Sequence, residues 1–298
     1  MKVIVITGLT GSGKSGLAVK IAKEFNGEII SADSVQIYKG LNIGSAKEDV
    51  KTMQEIPHHL INIKEFNETY NVGEFIDDVK ITLNSITSRG KLPIIVGGTG
   101  MYIKALLEGY TLGETSADNK LREKYQNLAQ NEGNLAVWNV LNQLNPERAK
   151  TVHPNNLKRV IRYIEIETNN ETLTKTDSIL KDYDILSFGI IADRDVIYSK
   201  INKRVDQMIA MGLEDEITNL IKKGATRDLQ AFNSIGYQEW FDYFEGKTDK
   251  ESTINLIKQH TRNYCKRQLT FLKTINNIEL LTIDVAEQNI RSFLNDQH

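Results

Sequence analysis

The chain has a single cysteine, Cys265, among 298 residues. One thiol cannot close an internal disulfide or build a thiolate zinc cluster, so a disulfide-stapled secreted domain and a zinc ribbon are both excluded. Long apolar runs are missing as well. No stretch reaches the ~18 apolar residues that a membrane-spanning helix needs. The apolar run near the start, in MKVIVITGLTGSGKS, is short and passes directly into glycines without a small-residue cleavage site. It reads as a buried strand rather than an export signal. The reducing cytoplasm is the expected location, and no membrane partner is expected. An excess of one charge is also lacking: 37 Lys+Arg against 39 Asp+Glu leave −2. A uniformly basic nucleic-acid binder is thereby excluded. A local basic surface is not, because residues 258–273, KQHTRNYCKRQLTFLK, carry five Lys/Arg and no acid. Such a patch neutralises phosphates even on an acidic chain.

What is present describes a soluble α/β protein. At 40% apolar and 26% charged, the composition is ordinary for a globular chain. The length suits one large domain or two. Short apolar runs alternate with amphipathic helical stretches: strand 2–7, helix 14–25, strand 28–33, helix 74–90, strand 92–98. That alternation predicts a parallel sheet covered by helices. Residues 113–185 are polar and mostly helical, with Leu157, Ile161 and Ile164 on the buried stripe of a helix over 155–168. A strand over 184–191, a helix pair over 195–224, a helix over 252–275 and a strand over 278–284 follow. The expected organisation is an α/β core of residues 1–112 and 186–298 with a helical insertion at 113–185.

Three strand ends carry chemistry. GLTGSGKS, Gly8 to Ser15, fits G-x-x-x-x-G-K-[ST] between a strand and a helix. Gly8, Gly11 and Gly13 let backbone N–H groups converge with those of Thr10 and Ser12, and the helix N-terminus adds positive potential. Lys14 supplies a point charge, and the Ser15 hydroxyl can ligate magnesium. A bare glycine turn would lack these flanks. Polyphosphate binding follows; the reaction does not. An NKxD base-reading motif is absent, which argues against a GTPase, and the third strand ends in GGTG rather than in acid, which argues against a motor. Asp33 closes the second strand. There it can hold a metal, act as a general base, or simply form a turn. Thr99, in GGTGMY, offers a hydroxyl among glycines that permit close backbone approach.

GLTGSGKS, SADSVQIYKGLNIGSAK, IPHHLI, YNVGEF, GGTGMY, HPNNLKRVIR, IGYQEW and RNYCKRQLTFLK occur in an order and spacing that resemble the bacterial tRNA dimethylallyltransferases, also called tRNA isopentenyltransferases. The resemblance covers nearly the whole chain. Departures are Leu9 for a usual proline, Ser45 for threonine, Asn62 for aspartate and Phe271 for tryptophan. The family's eukaryotic zinc finger is absent.

The resemblance implies a P-loop NTPase-like fold. It also implies transfer of a dimethylallyl group from dimethylallyl diphosphate to the exocyclic amine of the adenine next to the anticodon, at position 37 of tRNA. Gly8, Thr10, Gly11, Ser12, Gly13, Lys14 and Ser15, with Mg2+, would clamp the departing diphosphate. Asp33 would take the amine proton, Thr99 would hydrogen-bond near it, and Arg204 would add a distal cation, with Lys200 and Lys203 as rivals. The tRNA contacts implied are Asp33, Ser34, Val35, Gln36, Thr99, Lys158, Arg159, Arg162, Gly236, Tyr237, Lys266, Arg267 and Gln268. A spacing of four also puts Lys258, Arg262 and Lys266 on one stripe of the late helix. His58 and His59 match no metal pattern and are expected to brace the Asp33 loop. A monomer is expected. A P-loop small-molecule kinase and an adenylate isopentenyltransferase acting on free nucleotide are the alternatives.

Overall fold

The computed structural model describes residues 1–48, 50–110, 118–171 and 175–296. The chain folds as two compact units, Met1–Gly109 with Asp177–His298, and Tyr110–Thr176.

The first unit is built on strands β1 (Lys2–Gly8), β2 (Gly27–Ser31), β3 (His58–His59), β4 (Leu92–Val96), β5 (Asp184–Ile190) and β6 (Glu279–Leu281). They form one parallel sheet in the order β3-β2-β4-β1-β5-β6. β1 lies at the centre, with Ile4 opposite Ile94 on one side and Leu186 on the other. Its unbroken apolar run follows from burial on both faces. Side chains alternate along a strand. Val3 and Val5 therefore join the core containing Phe75, Val79 and Leu83 of α3 (Val72–Ser88). Ile4 and Ile6 join the opposite core, with Leu17 and Ile21 of α1 (Lys14–Glu24). α3 is started by a capping box in which Asn71 and Glu74 satisfy each other's backbone N–H groups.

β2, β4 and the run 278–284 all end before their expected limits. β2 stops at Ser31 because the Asp33 carboxylate accepts from Val35 N and Gln36 N and turns the chain. The run 278–284 is strand only to Leu281. From Ile283 it becomes the helix Ile283–Asn295, whose Ala286 and Ile290 are fully buried at a spacing of four.

The second unit is helical: Asn119–Glu132, Asn134–Leu144, the short Pro146–Ala149, and Leu157–Thr168. Val137, Leu141, Val160, Ile161 and Ile164 form its core, with Leu157 packed on the edge. The expected insertion start at 113 lies outside the described residues. Its expected end at 185 is corrected to about 176. Leu180 is fully buried in the main core and Ser178 Oγ donates to Leu106 O at 2.6 Å, so residues 177–185 belong to the first unit. Among the described residues no helix is long and apolar enough to cross a membrane.

Candidate active site

Residues 8–15 connect β1 to α1 at the carboxyl end of the sheet. Gly8 sits at φ +144°, and a Cβ there would lie 2.4 Å from Ile190 O, so no other residue fits. Gly11 and Gly13 also hold positive φ. The Ser12 hydroxyl is buried without a hydrogen-bond partner among the described residues. Lys14 Nζ donates to Leu9 O at 3.3 Å. Burial pushes its pKa down to about 8, opposed by the nearby Asp33 carboxylate and assisted by the Arg204 guanidinium. A desolvated ammonium of this kind gains most when an anion arrives.

Asp33 and Thr99 share the neighbouring strand ends. Oδ1 of Asp33 accepts from Val35 N at 2.9 Å and Gln36 N at 3.3 Å. Its other oxygen makes no hydrogen bond among the described residues. The turn therefore occupies one oxygen and leaves the other available. Thr99 Oγ1 accepts from Ser34 N at 3.0 Å and donates to Ser34 Oγ at 3.3 Å. The β4 end comes this close because residue 97 is glycine: a Cβ there would lie 2.0 Å from Ala32 O.

Arg204 reaches the same place from α9 (Arg194–Ala210). Its Nη2 donates to Ala46 O at 3.4 Å. Burial lowers its pKa, opposed by Glu48 and Asp33. Lys200 and Lys203 are exposed and do not line the site. One cavity of about 580 Å³ joins Thr10, Lys14, Ser15, Asp33, Thr99 and Arg204. Ile201, Val205, Met208 and Ile257 supply apolar wall. Anion donors, an available carboxylate oxygen and an apolar wall in one space suit an amphiphilic phosphate ester.

A model of a protein family described as IPP transferase matches residues 36–275. The chain belongs to that family. A tRNA dimethylallyltransferase of Exiguobacterium sp. is 45% identical over 271 residues, covering 91% of this chain and 87% of the relative. One of Enterococcus faecalis is 42% identical, covering 91% and 88%. Among solved structures, the full-length tRNA isopentenylpyrophosphate transferase of Bacillus halodurans is 38% identical with a TM-score of 0.72, covering 98% of this chain and 95% of that one. A eukaryotic dimethylallyltransferase acting on tRNA is 27% identical with a TM-score of 0.72, covering 98% and 77%. These neighbours agree with the P-loop NTPase-like parallel sheet seen here.

Of the residues expected to meet RNA, Asp33, Ser34, Val35, Gln36, Thr99, Gly236 and Arg267 line that cavity. The Gln36 amide is held by the protein: Nε2 donates to Ser45 O and Ala46 O, and Oε1 accepts from Ser31. Lys266 is exposed on α12 (Lys250–Leu272), and Lys158 and Arg159 on Leu157–Thr168.

Three expected contacts are corrected. Tyr237 is fully buried, and its hydroxyl bonds Glu216 at 2.7 Å and Ser45 N at 3.2 Å, so its ring has no face for a base. Gln268 is buried and clamps two loops. It accepts from Thr10 N at 2.9 Å and donates to Gly98 O at 3.0 Å. Arg162 pairs with the buried carboxylates of Glu165 and Glu171 at 3.2 and 3.0 Å; if it turned outward, Glu165 would keep Arg122 but Glu171 would lose its ion pair. The stripe 258–262–266 also divides: Lys258 pairs with Asp206 and Arg262 donates to Asn202, both on α9.

Sequence reasoning missed Tyr264, which lines the cavity, donates weakly to Gly98 O at 3.4 Å, and has its pKa raised to about 12 by burial. It expected only a bracing role for His58. His58 lines the cavity, and its Nδ1 must donate to Ile56 O at 2.6 Å because a carbonyl only accepts. His59 binds Glu28, which also holds Arg89, and so braces the β2 edge.

Proposed function

We propose that this chain transfers the dimethylallyl group of dimethylallyl diphosphate to the exocyclic amine of the adenine at position 37 of tRNA, releasing diphosphate. The observation that carries this is the convergence of the Lys14 ammonium, Asp33 and Arg204 on one cavity with apolar walls. The names of the relatives support the same reaction on tRNA.

The amine nitrogen attacks the allylic carbon, the carbon–oxygen bond breaks, and its electron pair leaves with diphosphate. An adenine amine is a weak nucleophile, so stabilising the leaving group carries the rate. Lys14, Arg204 and the N–H groups of residues 11–15 face charge that grows as the bond breaks. The second Asp33 oxygen accepts the amine proton, and Thr99 keeps the turn bearing Asp33 in place through Ser34. An adenine stacked in an anticodon loop has to be flipped out to reach the cavity.

Magnesium fits the donors. Ser15 and Asp33 offer only oxygen, and among the described residues no cluster of three or more His, Cys, Asp or Glu competes as a softer site. Bound through Ser15, phosphate oxygens and water, it would neutralise diphosphate charge. The test supplies labelled dimethylallyl diphosphate or labelled ATP, with tRNA or AMP. Label moving from dimethylallyl diphosphate to tRNA is expected. Transfer to AMP, or phosphoryl transfer from ATP, would overturn the proposal.

A further inference from the structure

Arg204 is held by a loop, and the loop is held by two residues outside the cavity. Residues 42–46 have no regular secondary structure. Their backbone is gathered by the Glu216 carboxylate, which accepts from Asn42 N at 3.0 Å, Ile43 N at 2.8 Å and Gly44 N at 3.3 Å. Tyr237 completes the clamp. Its hydroxyl donates to the same carboxylate and accepts from Ser45 N. Its ring lies flush against residue 44, where a Cβ would come within 2.6 Å of the ring carbons, so only glycine allows the approach.

The clamp leads to strained backbone. Ala46 holds φ +52°, a left-handed conformation that a residue with a Cβ adopts only when its surroundings impose it. That twist leaves the Ala46 carbonyl accepting from both Arg204 Nη2 and Gln36 Nε2. Gln36 in turn donates its backbone N–H to Asp33. A continuous set of bonds therefore runs from Glu216 and Tyr237, through one carbonyl, to the distal cation and the carboxylate.

We infer that Glu216 and Tyr237 are positioning residues for the transfer reaction, fixing the Ala46 carbonyl and through it the guanidinium of Arg204. This rests on Arg204 being the distal cation of the diphosphate site.

The test is a double-mutant cycle on the single-turnover rate at saturating tRNA and dimethylallyl diphosphate, with melting temperatures followed in parallel. Tyr237→Phe keeps the ring and removes both hydroxyl bonds; Glu216→Gln keeps the shape and removes the charge. Each should slow the chemical step by roughly 10–100-fold, the scale of a displaced reacting group. In an Arg204→Ala background the same substitutions should change the rate by less than about twofold. A purely structural role lowers the melting temperature but does not produce that loss of effect. Wild-type rate in folded Tyr237→Phe, with Arg204→Ala slow, would overturn this inference alone. Equal losses in both backgrounds would overturn it too. A fast Arg204→Ala enzyme would overturn both the inference and the assignment of Arg204. Should Glu216→Gln not fold, Tyr237→Phe decides.

Discussion

Lys14 sits where burial makes its charge costly. Burial brings its pKa down to about 8, so the free protein begins to lose this proton near that pH, whereas an unfolded lysine keeps it to about 10.5. Between those values the unfolded chain binds more protons, so stability of the free protein rises with pH across that window. Below about pH 8 the buried charge is a standing cost. An anion reverses the preference. Binding of inorganic pyrophosphate near pH 8–9 should therefore take up protons beyond those the ligand itself exchanges. Calorimetry in two buffers of different ionisation enthalpy measures this. Lys14→Arg, which does not titrate, should lose the excess uptake, and an equal uptake in both proteins would refute the assignment.

Asp33, the proposed proton acceptor, permits a clean substitution. Its Oδ1 already serves Val35 N and Gln36 N, and asparagine keeps that acceptor. Asp33→Asn should preserve the turn while removing the proton acceptor. The single-turnover rate should fall by ~10²–10⁴ with tRNA affinity little changed. Loss of magnesium-dependent diphosphate binding, with the turnover loss explained by that alone, would instead assign Asp33 to the metal.

Between elements, α12 does more than its composition suggested. The polar run 262–268 reads as an RNA surface, yet Gln268 points inward and ties Thr10 of the phosphate loop to Gly98 after β4. A glutamine amide gives no sequence sign of which way it faces; here the side chain is buried because residues 98 and 100 are glycines that let α12 approach. Strands and amphipathic helices were legible because burial repeats at fixed spacing. The interior roles of Gln268 and Tyr237 were not, since each depends on partners far along the chain, and that of Arg162 was not because a basic residue at helical spacing gives no sign that it pairs with nearby buried carboxylates. Gln268→Leu should leave Thr10 N unpaired, at about 1–3 kcal/mol, and Gly98 O with only the weak Tyr264 donor. Urea unfolding should register the loss. The KM for dimethylallyl diphosphate should rise while the salt dependence of tRNA binding stays as in the parent. A flattened salt dependence would return Gln268 to the RNA surface.

Across the molecule, charge is arranged rather than accumulated. The net charge of −2 hides the fact that many cations are spent internally: Arg162 on buried carboxylates, Lys258 on Asp206, Arg122 on Glu165. Counting lysines and arginines along the sequence overstates the RNA surface for this reason. Lys266 and Arg267 remain exposed on α12, with Arg267 at the cavity wall over the Tyr264 ring. With the exposed Lys158 and Arg159, those two are the cations expected to contribute to the salt dependence. Each phosphate neutralised releases counterions, so log affinity for tRNA against log salt should flatten by roughly 0.7–0.9 for each of Lys266→Ala and Arg267→Ala. Arg162→Ala should behave in the opposite way. It leaves Glu165 and Glu171 without this partner, so the unfolding midpoint should drop while the salt slope holds. Fluorescence titrations at several salt concentrations, paired with denaturation of the same proteins, separate the two classes. An unchanged slope in the Lys266→Ala, Arg267→Ala double variant, with a changed slope in Arg162→Ala, would mean that the RNA lies along Leu157–Thr168 and that the ion pairs of Arg162 open to receive it.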